Sequence, residues 1–314
     1  DVYLIVADGL GDEVKSGVNI VDVGSSLKGR LGRMFSTTKR VYAAALKLQA
    51  DLYHFHDPEL IPVGLKLKRS GSVVVFDSHE DVPSQISLKF YIPSILRYII
   101  CHFYSLYEKV SSIKINAIVA TTPSIHDKFF AYGCSVLMLR NFPITKEFSV
   151  GNENNTQNVI SFVGTIELDR GLFEVVQALD FVGNDLMFKV AGAFSDNSLE
   201  KHFIEFSSSK SVEFLGWLDR KGIQDLLRDT SIGIVTLHPT ITFVESLPVK
   251  MFEYMAAGIP VIASNFPLWK TIIEDNYCGI CVDPTSPEEI AEAIDYLISN
   301  PVTAKKMGEN GMII

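Results

Sequence analysis

Residues 245–260 read ESLPVKMFEYMAAGIP, and this stretch decides the fold. Pro248 has the fixed φ that suits a first helical position, and Gly258 is placed to end the helix. Lys250 falls in the first turn, where the helix dipole disfavours a cation. Because a helix N-terminus is itself an anion site, the stretch predicts a phosphate bound at a helix start.

Two carboxylates, Glu245 and Glu253, lie eight positions apart across this helix start. A bound phosphate would have one carboxylate before it and another within the helix. The alternative is a surface ion pair between Lys250 and Glu253, which are spaced i, i+3. The stretch alone leaves both interpretations open.

Apolar strands, polar turns and amphipathic helices alternate along the whole chain. Most strand candidates are continuous apolar runs, as expected for parallel strands covered on both faces. This alternation predicts a doubly wound α/β architecture. The strand candidates are residues 2–7, 52–56, 73–77, 117–121, 136–139, 159–163, 187–191, 212–215, 232–237, 260–263 and 279–282.

The length of 314 residues suits two domains of ordinary size. A polar segment, 146–157, separates two βα series and is predicted to be a linker. We therefore expect a Rossmann-like acceptor domain at 1–145 and a Rossmann-like donor domain at 158–314, facing a cleft at the carboxyl ends of both sheets. The chain opens directly in a strand pattern, so we expect an N-terminal strand to be missing.

Charge and composition narrow the class of protein. A hydrophobic content of 47% with 21% charged residues describes a soluble globular protein. The net charge of −9 argues against general nucleic-acid binding. A basic stretch without acidic residues could face anionic lipid, although a solvated surface is simpler; it comprises Lys28, Arg30, Arg33, Lys39 and Arg40.

Two further segments have a plain structural interpretation. The aromatic stretch 90–107 is too interrupted for a transmembrane helix. A helix packed on the sheet is favoured there over a membrane-facing helix. Cys278 and Cys281 form a C-x-x-C in a strand pattern, where the two side chains point to opposite faces, so we expect core cysteines.

Polar residues follow several strands, where a doubly wound domain has its ligand crevice. They include His56-Asp57 and the run Asp77-Ser78-His79-Glu80. The loop 164–171 adds Gly164, for close backbone approach, and Arg170 at a predicted helix start, where a guanidinium fork suits a diphosphate. These ends predict a polar ligand site.

A metal site is the alternative for the histidines. His54 and His56 lie on one face of a strand, as in zinc sites. However, only His56 is expected to reach the strand end, and no compact set of further ligands follows. The sequence also has no D-x-D, and Gly9-Leu10-Gly11 does not complete G-x-G-x-x-G. We therefore predict neither a metal nor a cofactor.

These residues resemble those of the retaining GT-B glycosyltransferases of family 4, a family that includes many bacterial polysaccharide and lipid-linked sugar transferases. The E-x7-E of Glu245 and Glu253 carries the resemblance. Supporting it are FVGT at 162–165, FLGW at 214–217, HDPE at 56–59 and DSHE at 77–80.

The resemblance implies a role for each residue. Glu253 is similar to the carboxylate that binds the ribose hydroxyls. Glu245 is similar to the residue that contacts the transferred sugar, near the backbone of Ser246 and Leu247. Arg170 and Lys250 resemble a diphosphate-binding pair that replaces a metal, beside Gly164 and Thr165. His79 corresponds to a histidine near the reacting sugar, and His56 and Asp57 to the acceptor side.

The resemblance implies metal-independent sugar transfer from a nucleoside-diphosphate donor to a hydroxyl of a glycan or lipid-linked acceptor. It also implies a cytoplasmic protein. Peripheral contact with the inner face of an anionic membrane is a further expectation. The family's Gly-Arg is here Gly164-Thr165, and its C-terminal crossing helix is expected to be missing. A sugar-nucleotide epimerase and a non-catalytic sugar-nucleotide binder of the same fold are the alternatives.

Overall fold

The computed structural model describes two units of the chain, Asp1–Arg140 and Asn141–Ile314. At Arg33 it describes the backbone alone. The predicted linker 146–157 lies outside the described residues from position 149 onward. The described residues are 1–26, 32–87, 89, 91–148, 158–183 and 186–314.

The first unit contains seven strands in two sheets over its described residues. One sheet has the order β1-β3-β2, with β1 and β3 parallel and β2 antiparallel. The other has the order β4-β5-β6-β7 and is parallel throughout. The strands are β1 (Val2–Val6), β2 (Glu13–Lys15), β3 (Val18–Asp22), β4 (Leu52–Phe55), β5 (Val73–Ser78), β6 (Ala117–Ala120) and β7 (Val136–Met138).

Helices pack beside these strands, and the core of the unit includes Ile61, Phe76, Ile118 and Phe129. A short π-helical segment, Arg33–Thr37, precedes the first helix. The helices are α1 (Thr38–Leu48), α2 (Ile61–Arg69), α3 (Val82–Ser87), α4 (Ser94–Ser112) and α5 (Pro123–Ala131).

The first 24 residues differ from the sequence prediction. Strands β2 and β3 were not predicted, and β1 is not covered on both faces, because Val2, Tyr3 and Leu4 are exposed. The loop after β1 is held against the end of β3. The carboxylate of Asp22 accepts hydrogen bonds from the backbone N–H groups of Gly9 and Gly11 in this loop and of Gly24 after β3. These hydrogen bonds, that of Gly11 foremost, lower the pKa of Asp22.

The second unit has one parallel sheet of six strands in the order β10-β9-β8-β11-β12-β13. This is the doubly wound order, in which the chain reverses direction between β8 and β11 and a ligand crevice opens at their carboxyl ends. The strands are β8 (Asn158–Val163), β9 (Leu186–Ala191), β10 (Val212–Gly216), β11 (Ile232–Val235), β12 (Val261–Ser264) and β13 (Gly279–Val282).

Helices cover both faces of this sheet and form two apolar clusters with it. Cluster members include Phe162, Phe188 and Trp269, all fully buried. The helices are α6 (Leu172–Ala178), α7 (Asn197–Ser207), α8 (Arg220–Asp229), α9 (Ile241–Val244), α10 (Val249–Ala256), α11 (Pro267–Ile273), α12 (Pro287–Ser299) and α13 (Pro301–Gly311).

The opening stretch folds nearly as predicted. Lys250 lies in the first turn of α10, and Gly258 follows the helix end with a φ of 72°. Pro248 caps the helix as an extended residue instead of occupying its first position. The helix therefore begins one residue later than predicted.

The prediction that the aromatic stretch packs on the sheet is wrong for α4. Its aliphatic and aromatic side chains are largely exposed, whereas Glu108, Ser111 and Ser112 are buried. The segment is helical, as predicted, but its apolar side faces solvent.

The basic stretch is only partly described. Lys28 and Arg30 lie outside the described residues, as does the side chain of Arg33. Lys39 is exposed, whereas Arg40 donates to the carbonyls of Val23, at 2.6 Å, and Ser25, at 2.8 Å. Arg40 therefore has a structural role.

The cysteines behave as predicted. All four are free. Burial raises the pKa of Cys278 to about 11 and that of Cys281 to about 12. A reactive thiol needs the opposite shift, so burial does not activate these two thiols.

Candidate functional site

In the second unit, the backbone at the sheet's switch point is closely packed. A Cβ atom added to Gly192 would lie 1.8 Å from the carbonyl oxygen of Gly164, and one added to Gly171 would lie 1.9 Å from that of Thr236. Gly164 itself has a φ of 138°. Glycine is therefore required at these three positions, which bring the loops after β8, β9 and β11 together.

Lys250 extends from α10 to this loop. Its Nζ lies 3.7 Å from the ring centroid of Phe162 and 3.3 Å from where a Cβ of Gly164 would be. The Nζ atom is buried and makes no hydrogen bond with any residue that the structure describes. Burial, followed by the positive charge of Arg170, holds the pKa of Lys250 well below its usual value.

This geometry contradicts the surface ion pair as an explanation of Lys250. Glu253 pairs instead with Arg220, whose Nη1 lies 2.5 Å from Oε1 of Glu253. Arg220 also contacts Glu147 at 2.7 Å and stacks on Phe148, at 4.4 Å from the ring centroid. The carboxylate of Glu253 is therefore fixed one helical turn after an unpaired amine.

Arg170 ends a short 3₁₀ helix, Leu168–Arg170, in the loop after β8. Its guanidinium lies 3.1 Å from the carboxylate of Glu167 and 4.7 Å from the ring centroid of Phe243. An anion at this guanidinium would have to share it with Glu167.

The remaining residues predicted for the second unit differ in accessibility. Glu245 and Thr165 are exposed. Leu247 packs against the core, and the carbonyl of Ser246 accepts a hydrogen bond of 2.7 Å from Nε1 of Trp269. The backbone after α9 is thus anchored, whereas the carboxylate of Glu245 extends from it into solvent.

The loop after β8 also borders a cavity of about 660 Å³, whose lining includes Glu167, Asp169 and His202. Neither Lys250 nor Glu253 contributes to this lining. The cavity is therefore adjacent to the predicted anion site and distinct from it.

In the first unit, three imidazoles surround one buried carboxylate. Asp77, at the end of β5, has Oδ2 3.2 Å from Nε2 of His54 and 3.4 Å from Nδ1 of His56. Nδ1 of His79 lies 3.4 Å from Oδ1 of the same carboxylate. His56 and His79 also contact each other through ring nitrogens 2.8 Å apart. We call these four residues the imidazole cluster.

The imidazole cluster lies beside a cavity of about 90 Å³, whose lining includes His56, Asp57 and His79. Desolvation is the largest influence on His56 and lowers its pKa; the carboxylate of Asp77, next in size, opposes this shift without reversing it. A neutral imidazole can accept a proton, so the cluster can act as a base.

The metal alternative was dismissed on a wrong premise. His54 is not confined inside the sheet, because β4 is a sheet edge and its side chain reaches Asp77. Ligand atoms of His54, His56 and Asp77 all lie within 4.8 Å of one another. Two imidazoles and a carboxylate are donors that zinc or iron accepts, so this set is able to hold a metal.

Sequence reasoning missed three contacts of these sites. Arg220 lies 33 residues from its partner Glu253, and no local signal joins them. FVGT at 162–165 gave no sign that the Phe162 ring lies under the amine of Lys250. His238, in the loop after β11, lies 3.1 Å from Glu174 on α6, and no local signal joins these two residues.

The fold and the site define a protein with two Rossmann-like units, one of which has a buried lysine amine at a helix start with no hydrogen-bond partner among the described residues. The family described as "Glycosyl transferases group 1" matches residues 143–312, more than half of the chain. The chain therefore belongs to the group 1 glycosyl transferases.

Among curated relatives, alpha-D-kanosaminyltransferase of Streptomyces kanamyceticus is 26% identical over 156 residues, 48% of this chain and 39% of that protein. The chain spans about two fifths of the length of the curated relatives it matches.

Solved structures resemble this chain over almost its whole length. Sucrose-phosphate synthase from Thermosynechococcus elongatus has a TM-score of 0.75 at 16% identity, with 99% of this chain and 83% of that chain covered. Anabaena HepE in complex with UDP and glucose has a TM-score of 0.68 at 16% identity, with 95% and 81% covered. These neighbours confirm the predicted class of two Rossmann-like units of the GT-B type.

Proposed function

We propose that this chain is a retaining, family 4-like glycosyltransferase that transfers a sugar from a nucleoside-diphosphate donor to a hydroxyl acceptor without a metal. The buried, unpaired amine of Lys250 carries the proposal. An unsatisfied polar group of this kind costs about 1–3 kcal/mol, more where it is charged, so a ligand that satisfies it is expected. Phosphate oxygens at a helix start would supply both the charge and the acceptors.

The donor would contact the second unit through residues with separate roles. Lys250 and Arg170 would bind the diphosphate, beside the backbone of Gly164 and Thr165. Because Glu167 shares Arg170, Lys250 would make the stronger contact as negative charge grows on the leaving group.

Two carboxylates would grip hydroxyls of the donor. Glu253 would accept hydrogen bonds from the ribose hydroxyls, with Arg220 fixing its orientation. Glu245 would contact the transferred sugar next to the backbone of Ser246 and Leu247. Neither carboxylate acts as an acid or a base in this proposal.

The reaction would proceed on one face of the sugar. The bond between the anomeric carbon and the phosphate oxygen breaks, a bond from that carbon to the acceptor oxygen forms, and the acceptor proton passes to the departing phosphate. In the first unit, His79 would contact the reacting sugar, and His56 and Asp57 would bind the acceptor.

The acceptor would be a glycan or a lipid-linked glycan. A lipid-linked acceptor would place the protein in the cytoplasm at the inner face of a membrane. HepE has been solved with UDP and glucose, and TarM of S. aureus with UDP and alpha-GlcNAc-glycerol. Donors and acceptors of these classes support the proposal.

The test is calorimetric binding of UDP, GDP, ADP and TDP, and of their glucose conjugates, to the full chain. Wild type and Lys305→Ala, which alters an exposed lysine of α13, should bind one nucleotide alike. Lys250→Met should weaken that binding at least about tenfold, since it removes a charge-assisted contact. Absence of binding across the panel, or equal binding by Lys250→Met, would refute the proposal. Isomerised nucleotide sugar without an acceptor would favour the epimerase.

A further inference from the structure

Helix α4 of the first unit is amphipathic in the reverse of the usual sense. Its solvent-facing side is aliphatic and aromatic, and its protein-facing side is polar. We define the α4 outer face as the exposed apolar residues on and beside this helix. They are Tyr91, Ile95, Leu96, Tyr98, Ile99, Ile100, Phe103, Leu106, Tyr107, Val110 and Ile113.

Polar interactions hold the inner side of α4 in place. Buried Glu108 lies 3.0 Å from Nζ of Lys128, which also lies 2.8 Å from a carboxylate oxygen of Asp81. The hydroxyl of Ser105 donates to the carbonyl of Cys101, and Sγ of Cys101 lies 3.4 Å from the carbonyl of Pro83. The orientation of α4 is therefore fixed, and its apolar residues cannot rotate inward without breaking this ion-pair network.

The α4 outer face is a continuous stripe. Positions 95, 99, 103, 106, 110 and 113 follow the spacing of one helical face, over a helix of 19 residues and about 28 Å. Nothing among the described residues covers this stripe. An exposed apolar patch of such length marks an interaction surface.

Charge identifies what would cover the stripe. Between residues 82 and 126 Lys109 and Lys114 are exposed, Lys89 is half-buried, and the one acidic residue, Glu108, is buried. A helix with apolar and aromatic side chains beside cations, and with no exposed acid of its own, complements an anionic lipid surface. Two copies meeting face to face would instead bring like charges together.

We infer that α4 docks the chain onto the surface of an anionic bilayer, with its outer face buried at the boundary of headgroups and acyl chains. The ring of Tyr98, which is 74% exposed, suits this boundary, because tyrosine combines an apolar body with a polar hydroxyl. Within the described residues, no helix is both long and apolar enough to cross a membrane. The helix would lie along the surface.

Vesicle sedimentation tests this inference with the full chain and without reference to catalysis. Vesicles of phosphatidylglycerol and phosphatidylcholine should pellet the chain, and vesicles of phosphatidylcholine alone should pellet at least fivefold less. Ile95→Ser combined with Phe103→Ser should reduce the partition coefficient at least tenfold; the two residues are 77% and 66% exposed. The matched control, Ile204→Ser with Val302→Ser, removes side chains that are 48% and 83% exposed in the second unit and should bind as wild type does.

A second measurement locates the helix in the bilayer. The variant Tyr98→Trp adds an indole to α4, and its fluorescence should be quenched by lipids brominated on the acyl chain. Absent pelleting, pelleting that Ile95→Ser/Phe103→Ser leaves unchanged, or an unquenched indole would overturn the inference. So would a dimer in sedimentation velocity that the same double variant converts to monomer, since the α4 outer face would then bind a second copy.

Discussion

The two candidate sites differ in how the sequence brings their residues together. The site around Lys250 centres on one helix, α10, and one preceding loop, and its cation is buried. The imidazole cluster comes from the ends of neighbouring strands β4 and β5, and its histidines are partly exposed. At the first site, the buried amine has no hydrogen-bond partner among the described residues, and a ligand would offset that energetic cost. At the second site, the distances show only that the four side chains lie close together.

The geometries of the two sites constrain function to different degrees. A buried amine with no hydrogen-bond partner among the described residues favours an anionic ligand, which would supply both acceptors and the charge that restores protonation. A carboxylate among imidazoles is partly satisfied already and permits proton transfer, metal binding or a structural role. The family match, at residues 143–312, also covers the first site and not the second.

The largest expected effect is on turnover at Lys250. Lys250→Ala should reduce turnover at least about 100-fold, because it removes a charge that stabilises the leaving diphosphate. The measurement is steady-state release of nucleoside diphosphate. Lys305→Ala is the control, and turnover of Lys250→Ala within threefold of wild type would exclude Lys250 from the mechanism.

A smaller loss is expected in the imidazole cluster. Asp77→Asn should lower turnover roughly tenfold to a hundredfold, because it removes the carboxylate that orients His56 and His79. Nucleoside-diphosphate affinity, measured by calorimetry, should stay within twofold. A parallel loss of donor affinity would contradict the separate roles given to the two sites.

Stability should change in the opposite direction to activity at Lys250. Lys250→Met should raise the free energy of unfolding by about 1–3 kcal/mol, because it removes an unsatisfied buried group. The measurement is urea unfolding without ligand. A destabilised Lys250→Met would mean that the amine already has a partner.

The pH dependence of this stability has a defined sign. Between the lowered pKa of Lys250 in the folded chain and its usual value, the unfolded chain binds more protons, so this contribution to stability rises with pH. The penalty is complete below the lowered pKa and disappears above about pH 10.4. The advantage of Lys250→Met should therefore shrink as the pH rises through this window.

The smallest expected effect is that of chelation. EDTA should leave turnover within about twofold, since the two cations of the second unit replace a metal in the proposed mechanism. His54→Ala, assayed in parallel, tests whether the imidazole cluster contributes to turnover. Loss of activity in EDTA with recovery in zinc or manganese would make the imidazole cluster a metal site.

The sequence predicted the doubly wound fold and the position of Lys250 because those signals are local. Continuous apolar runs identify buried parallel strands, and Pro248 and Gly258 bracket one helix. The role of His54 was missed because it depends on the register between β4 and β5, where Phe55 is paired with Phe76. Arg220 was missed for the same kind of reason, as it reaches Glu253 across the fold.

The orientation of α4 could not be read from its periodicity. A helical pattern shows that one face is apolar, and the usual assumption turns that face inward. Here Lys128, on α5, pairs with Glu108 and fixes the polar face inward instead. Only the tertiary ion-pair network determines which side is exposed.

The central claim is that Lys250 binds the diphosphate of the donor. Proton uptake on nucleotide binding tests this claim most directly. Binding of UDP, GDP, ADP and TDP should be measured by calorimetry in steps from about pH 8.5, where the terminal phosphate is fully ionised, to about pH 10, just below the usual pKa of lysine, in buffers that differ in ionisation enthalpy. Wild type should take up a proton with the nucleotide it binds, because the phosphate restores the charge of Lys250, and Lys250→Met should take up none. Equal proton uptake by wild type and Lys250→Met, with equal affinity, would contradict the account.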